Sequence, residues 1–467
     1  MRNRQLLINS VYYTIGEVLP RIIGFFLLPV LTRCLTPAEY GINSYTNTVM
    51  LFSSAVATLS LNSFLLRNYY KEEGPEAKKK IVGNVFLLML LTNGLVTGLE
   101  LLLFPWLLER LDIRIPFHPF FLLAILNSFL DSLSIVPLVI FRIQKNARLF
   151  VLVNATKTFF QFVLTFFLLT SLHYGLRGVY LARLYVNIPY SVLFLGIVYR
   201  NALFKPYWAQ MKKGLLFSLP LLPGMLSYLF IATFDRIVLE KELNLTSLGL
   251  YATAATLALA LNIVIQGLYR AFEQKIFEKH GTAEYAGVVD TLYRYFLVCL
   301  LTGGFLLSIF SREVFLLFTS RQYLEAYKLV PLLVVPVILS GLTTFLATLL
   351  LAERRQLVIT KATLVSAVIT VVGTLILIKV IGVYGAILTS AVAFAVVFWF
   401  YLRDLALKNN YIGDLFLLMA VLLVVGLGSM YAELAAVWSI PLKAVLALLY
   451  FWGCTRLFRV RLDRLEL

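Results

Sequence analysis

Charged side chains set inside uncharged runs are the residues of this chain best suited to chemistry. Asn9, Tyr13, Glu17 and Arg21 recur every four residues and so share one helix face. Arg21 stands fifteen residues beyond Leu6, about 22 Å along a helix axis, too deep to reach an interface easily. Further polar sets recur at helical spacing: Asn43, Asn47, Ser54, Thr58 and Asn62; Asn154, Lys157 and Gln161; Tyr180, Arg183 and Asn187; Asn262, Gln266 and Arg270. Ionisable groups inside apolar helices face a bundle interior or a wet cavity. Together these residues predict the walls of a hydrated cavity. Arg21, Lys157 and Arg183 would meet an anion there, with Arg67 and Arg270 at its mouth. Glu17, Asn47, Asp131, Gln161 and Gln266 would supply polar or coupling groups.

Each of these residues also has a plainer reading. Glu17 and Arg21, at i and i+4, can form an internal salt bridge that only joins helices. Arg183 lies about 9 Å from its helix start and can snorkel to a surface. Arg67 and Arg270 end their runs, where basic anchors are common. Lys157 is about 12 Å deep, and no acid stands within a turn of it. Asp131 is alone in its run, so a helix-packing role and a coupling-ion site both stand. Asn and Thr stripes also hold membrane helices together. The three cysteines and three histidines are scattered, and no phosphate loop, nucleophile elbow or zinc motif is present. No catalytic residue, metal site or bound cofactor is expected.

The elements that must position these residues are membrane helices. Hydrophobic residues make up 60% of the chain and charged ones 14%, against about a quarter charged in soluble domains. The runs 40–66, 214–234, 243–269, 329–352 and 380–402 carry no charge. Each exceeds the approximately 20 residues that span hydrocarbon, where only internally bonded backbone is tolerated. Fourteen helices are predicted, centred near 18, 55, 95, 129, 160, 188, 226, 260, 300, 340, 369, 392, 422 and 447. The first is too long for a cleaved signal peptide and lacks its cleavage site. Alternate loops, beginning with the N-terminus, carry more than twice the Lys and Arg of the others, which predicts that both termini are cytoplasmic. The net charge of +17 is then mostly a topology signal, and no loop is large enough to bind nucleic acid as a basic domain.

The chain also reads as a duplication. Gly175-Leu176-Arg177-Gly178-Val179 returns as Gly382-Val383-Tyr384-Gly385-Ala386, Tyr40-Gly41-Ile42 as Leu248-Gly249-Leu250, and the turn at 144–148 as 351–355, all near one offset. The predicted organisation is an all-α polytopic protein. It has a six-helix lobe over 1–205, its repeat over 206–408, a cavity between them, and two further helices over 409–467. Pro20 and Pro29 interrupt the first helix, and Pro220 and Pro223 the seventh.

The stretch Pro29-Val30-Leu31-Thr32-Arg33-Cys34-Leu35-Thr36-Pro37-Ala38-Glu39-Tyr40-Gly41 resembles the first-loop signature of bacterial polysaccharide-export flippases. These belong to the multidrug/oligosaccharidyl-lipid/polysaccharide (MOP) superfamily. The segments 217–223, 235–239, 248–251, 323–327 and 382–386 continue the similarity. The resemblance implies two six-helix lobes in a V, and transfer of an undecaprenyl-pyrophosphate-linked oligosaccharide between leaflets of the bacterial cytoplasmic membrane. Alternating access would be driven by membrane potential, H+ or Na+. It also implies the bilayer and other polysaccharide-assembly membrane proteins as partners. A lipid II flippase and a multidrug/cation antiporter of the same superfamily remain open. A polysaccharide polymerase or ligase would need a large outer loop, and the longest here, 311–328, is short.

Overall fold

The computed structural model describes residues 16, 18–405, 412–431 and 436–460, and only the backbone at 270, 271, 274, 430, 431 and 436–439. Those residues form helices and turns, with no strand among them. Thirteen helices among them are long and apolar enough to cross a membrane, and they coincide with thirteen of the fourteen predicted centres. The remaining centre, near 18, falls in a segment described only in part, which is helical over 18–26. The chain divides into two compact units, Met1–Thr246 and Ser247–Leu467.

In the first unit the helices are α1 (Leu28–Cys34), α2 (Pro37–Thr58), α3 (Leu61–Tyr69), α4 (Pro75–Arg110), α5 (Leu122–Ser132), α6 (Ile135–Ile143), α7 (Ala147–Thr170), α8 (Gly175–Asn201), α9 (Trp208–Ser218) and α10 (Leu222–Glu242). Several are halves of one broken span. The first breaks at Leu27, beside Pro29, and the seventh at the 3-10 turn Leu219–Leu221, which holds Pro220 and precedes Pro223. Proline removes the donor that would continue the ladder. Between α2 and α3 the break needs no proline: Leu59 and Ser60 both adopt left-handed backbone, at φ 49° and 52°. The first-loop signature has a local cause. Thr36 caps α2, its N–H donating to Glu39 Oε2 at 2.9 Å while Glu39 N–H donates to Thr36 Oγ1 at 3.3 Å, with Pro37 at the first helical position.

Side chains sort inside out relative to a soluble bundle. On α4, Leu91, Leu95, Leu99, Leu102 and Trp106 form an exposed stripe at steps of three and four residues, whereas Asn84, Asn93 and Glu100 are buried. Lipid solvates the leucines, and the amides must find partners within the protein. Asn93 Nδ2 accordingly donates to the Phe129 carbonyl and to Ser132 Oγ of α5.

The second unit contains α11 (Leu245–Ala258, its first residues lying in the first unit), α12 (Leu261–Lys279), α13 (Tyr285–Ile309), α14 (Ser311–Phe318), α15 (Val330–Ala352), α16 (Gln356–Ile381), α17 (Val383–Leu405), α18 (Ile412–Tyr431) and α19 (Ala436–Leu457). Its core is α15, packed against α13 and α17, with Phe345 stacked on Phe296 at 5.3 Å between ring centroids. Phe305 of α13 and Tyr450 of α19 stack at 4.0 Å. Cys34, Cys299 and Cys454 are all free thiols.

The glycine pairs that signal duplication have matching local roles. Gly175 (φ +54°) opens α8 after α7, and Gly382 (φ +61°) precedes α17 after α16. Three residues on, Gly178 and Gly385 each lie against the end of the preceding helix. A Cβ at Gly385 would lie 2.3 Å from the Leu377 carbonyl oxygen, a backbone atom that cannot swing away. At Gly178 it would meet the Cβ atoms of Tyr174 and Leu168 at 3.1 and 3.3 Å. We expect Gly385→Ala to destabilise the protein by about 3 kcal/mol and Gly178→Ala by about 1 kcal/mol, the range of overpacking costs. Thermal unfolding of the purified variants checks this, and equal midpoints would contradict the close approach.

Candidate intramembrane polar site

The site lies wholly in the first unit, where α2, α5, α7 and α8 bring buried amides together. Asn187 Oδ1 of α8 accepts a hydrogen bond from Gln161 Nε2 of α7 at 3.1 Å, and its Nδ2 donates to Asn127 Oδ1 of α5 at 3.0 Å. Asn127 Nδ2 donates in turn to the Tyr180 carbonyl at 3.0 Å. The Tyr180 hydroxyl closes the line against Thr46 Oγ1 of α2. Asn127 and Asn187 are 5% and 1% exposed, so each must be bonded on both ends of its amide, and each is. At the next residue of α2, Asn47 Oδ1 accepts from Arg183 Nη1 at 2.8 Å, and Asn47 Nδ2 donates to Asn43 Oδ1 at 3.2 Å.

The threonines behave differently from the asparagines. Thr46, Thr48, Thr58, Thr158, Thr253 and Thr389 each donate to the carbonyl four residues back in their own helix. They are satisfied locally, and of these six only Thr46 also joins the line between helices, through the Tyr180 hydroxyl.

Two expectations about the charges are corrected. Lys157, expected to lack an acidic neighbour, has its Nζ 2.7 Å from Asp131 Oδ1. Asp131, expected to stand alone, is that neighbour. The two are 26 residues apart on different helices, so spacing along one helix could not reveal them. Asp131 lies in the last turn of α5, before the span breaks at Leu133–Ser134, and its carbonyl accepts from Ser134 N–H at 3.1 Å and from Ser134 Oγ at 2.6 Å. Lys157 is 13% exposed and Asp131 50%. The lysine ammonium also stands 5.9 Å from the centre of the Phe194 ring.

Arg183 now stands out. Its hydrogen-bond partner is a neutral amide, and among the described residues no carboxylate lies within ion-pair distance of it. Arg21 is exposed and lies in electrostatic reach of the Tyr228 hydroxyl, outside the amide line. Glu17 lies outside the described residues. Arg67 lies in the last turn of α3 and borders a separate cavity. Gln266 is half-buried on α12 in the second unit, and the side chain of Arg270 lies outside the described residues. Sequence reasoning missed Asn127, Asn93 and Glu100. Glu100 is 6% exposed in α4 and bonded to Ser53, and its signal was a lone acid within an apolar run.

The sequence matches the family described as polysaccharide biosynthesis protein over residues 6–271, more than half of the chain. The chain belongs to that family. Among its relatives is the Lsg locus protein 1 of Haemophilus influenzae, 27% identical over 276 residues, 58% of this chain and 65% of that protein. A membrane protein of the same organism matches at 27% over 279 residues, 59% of this chain and 66% of its own length. In both cases the match spans under two thirds of the relative. Among solved structures, the lipid II flippase MurJ in an inward closed conformation superposes with a TM-score of 0.77 at 15% identity, covering 97% of this chain and 100% of MurJ. An inward-facing multidrug resistance MATE family transporter of the MOP superfamily gives 0.68 at 16% identity over 85% and 99%. The polysaccharide biosynthesis family member described here is thus a multi-pass membrane protein with the fold of those transporters.

Because Asp131 is half exposed, its bond to Lys157 contributes modestly, on the order of 1 kcal/mol. A double-mutant cycle with Asp131→Asn and Lys157→Gln should return a coupling energy of about that size. Thermal unfolding in lipid discs measures it. Strict additivity of the two substitutions would mean that the pair does not form in the membrane.

Proposed function

We propose that this protein is a flippase, not an enzyme. Its cargo on this reading is an undecaprenyl-pyrophosphate-linked oligosaccharide, moved from the inner to the outer leaflet of the bacterial cytoplasmic membrane for surface polysaccharide. Both termini would be cytoplasmic. The observation that carries the reading is Arg183, a cation inside an apolar bundle with only a neutral amide for a partner. A charge held in hydrocarbon costs about 2.5–3.5 kcal/mol on insertion scales, so it persists where an anion uses it. A diphosphate head group is such an anion. Its sugars, with many hydroxyls, suit a wall of amides that both donate and accept. The polyprenyl tail would stay in lipid, solvated by the same hydrocarbon that surrounds the leucine stripe of α4.

The family match favours a polysaccharide repeat unit over lipid II or a cationic drug, readings that rest on likeness of fold alone. Alternating access would expose the head group first to one side and then to the other. Membrane potential, H+ or Na+ would drive it, with Asp131 as one coupling group. Lys157 is already paired with that carboxylate and would be freed only when Asp131 takes up a cation, which links anion binding to ion binding.

Surface polysaccharide in cells carrying single variants tests the reading. Arg183→Ala should abolish it while protein level and thermal stability stay near those of the parent. Arg183→Lys should retain part of it, since charge survives but the planar fork does not. Normal polysaccharide from Arg183→Ala would exclude the head-group role. Rescue of cells depleted of their lipid II flippase, without any effect on polysaccharide, would move the assignment to lipid II.

A further inference from the structure

A second, separate basic site occupies one face of the first unit. The spans Pro37–Tyr69 and Pro75–Arg110 meet there through a short turn, and the span Trp208–Glu242 begins beside them. Between them lies a cavity of about 670 Å³, of the size that receives small organic ligands rather than a bare ion. Arg67, Lys71, Lys80 and Lys213 line it, against a single carboxylate, Glu72.

The charges do not cancel one another. Glu72 Oε1 accepts from Gln210 Nε2 at 3.1 Å, and among the described residues none of the four cations has a carboxylate within ion-pair distance. Two of them rest on rings: Lys80 Nζ is 4.3 Å from the centre of Tyr207, and the Arg67 guanidinium 5.6 Å from that of Phe217. Four like charges around one cavity repel unless an anion sits among them.

The walls are fixed from behind. Asn84 is 1% exposed and joins three parts of the pocket. Its Nδ2 donates to the Lys80 carbonyl at 2.9 Å and to Gln210 Oε1 at 3.0 Å, and its Oδ1 accepts from Tyr207 N–H at 2.8 Å. Gly83 lets the 202–207 connection lie against α4, since a Cβ there would stand 2.3 Å from the Leu203 carbonyl oxygen. Lys80 is thus held from behind, and Arg67 and Lys213 stand on helices, which reduces the ordering cost of binding, while Lys71 comes from the turn between α3 and α4.

We propose that this cavity binds a phosphate- or diphosphate-bearing group at the membrane face, at a site distinct from Arg183. Several phosphate oxygens can engage several cations at once, and the volume leaves room for whatever the phosphate carries. The group can come from the membrane, as a lipid head, or from solution, and the experiment separates the two. It goes beyond the transport reading and does not depend on it.

The full-length protein in discs of zwitterionic lipid is titrated with inorganic pyrophosphate, with chloride at matched ionic strength as control. Thermal unfolding and calorimetry follow binding. Wild type should bind, with Lys71→Ala and Lys213→Ala each weakening affinity roughly tenfold or more. The corresponding arginine variants should keep most of it. Both lysines are exposed, so these variants should fold. The losses caused by Lys71→Ala and Lys213→Ala should be the same size in an Arg183→Ala background, which separates this site from the intramembrane one. If pyrophosphate has no effect but phosphatidylglycerol in the disc raises the unfolding midpoint, and the two alanine variants lose that rise, the ligand is a lipid head group and the site stands. If neither probe acts, if the alanine variants respond as wild type does, or if only Arg183→Ala abolishes binding, the proposal is overturned.

Discussion

Hydrocarbon offers no hydrogen bonds, and nearly every feature of this protein follows from that one constraint. Backbone groups must pair within the segment, so the apolar runs are helices. Where a helix breaks, the freed groups need substitutes, and the break after α5 supplies one in Ser134, whose hydroxyl bonds the Asp131 carbonyl. Side chains obey the same constraint in three ways. The leucines of the α4 stripe face outward because lipid solvates them. Threonines fold back onto their own helices. Asparagines and Gln161 carry both donors and an acceptor, more than their own helix can fill. Those at 127, 161 and 187 reach across to neighbouring helices and, with Tyr180, bind α2, α5, α7 and α8 into one polar core.

The same constraint sorts the charges. Lys157 solves its burial by taking Asp131 as a counter-ion, and Asp131 is able to serve because it stands where its own helix ends. Arg183 solves the problem only halfway. An amide oxygen satisfies one of its N–H groups, and its net charge is left for something else to balance. At the membrane face the penalty is smaller, because water reaches the groups. There four cations share one cavity with Glu72, held apart by aromatic rings and a buried asparagine.

Much of this was legible in the sequence, because it depends on local patterns. Uncharged runs locate the helices. Pro29, Pro220 and Pro223 mark the breaks in the first and seventh spans, and Thr36-Pro37-Ala38-Glu39 reads directly as a capping box. The paired glycines point to two helix junctions that turn out to share a left-handed opening residue. What failed was contact between helices. Nothing in the spacing of Asp131 and Lys157, 26 residues apart on different helices, places them together, so in the sequence each stands alone. The break at Leu59–Ser60 left no proline or glycine to announce it. Asn127 and Glu100 were overlooked because a single polar residue in an apolar run has no periodicity to detect.

The difference between the two intramembrane cations bears on how an anion could be both bound and released. Recruiting Lys157 means breaking a charge–charge contact with Asp131, and the anion must compete with a carboxylate for one ammonium. Recruiting Arg183 displaces at most a neutral amide, and the guanidinium has further N–H groups to offer before Asn47 need be released at all. When the anion leaves, Asn47 is still in place, anchored by Asn43, so the arginine is never left without a partner. A carboxylate at position 47 would hold Arg183 too firmly to let it bind, and an alanine would leave its charge too costly to keep. An amide lies between these extremes, the balance that a carrier needs if its cargo is to enter and then depart.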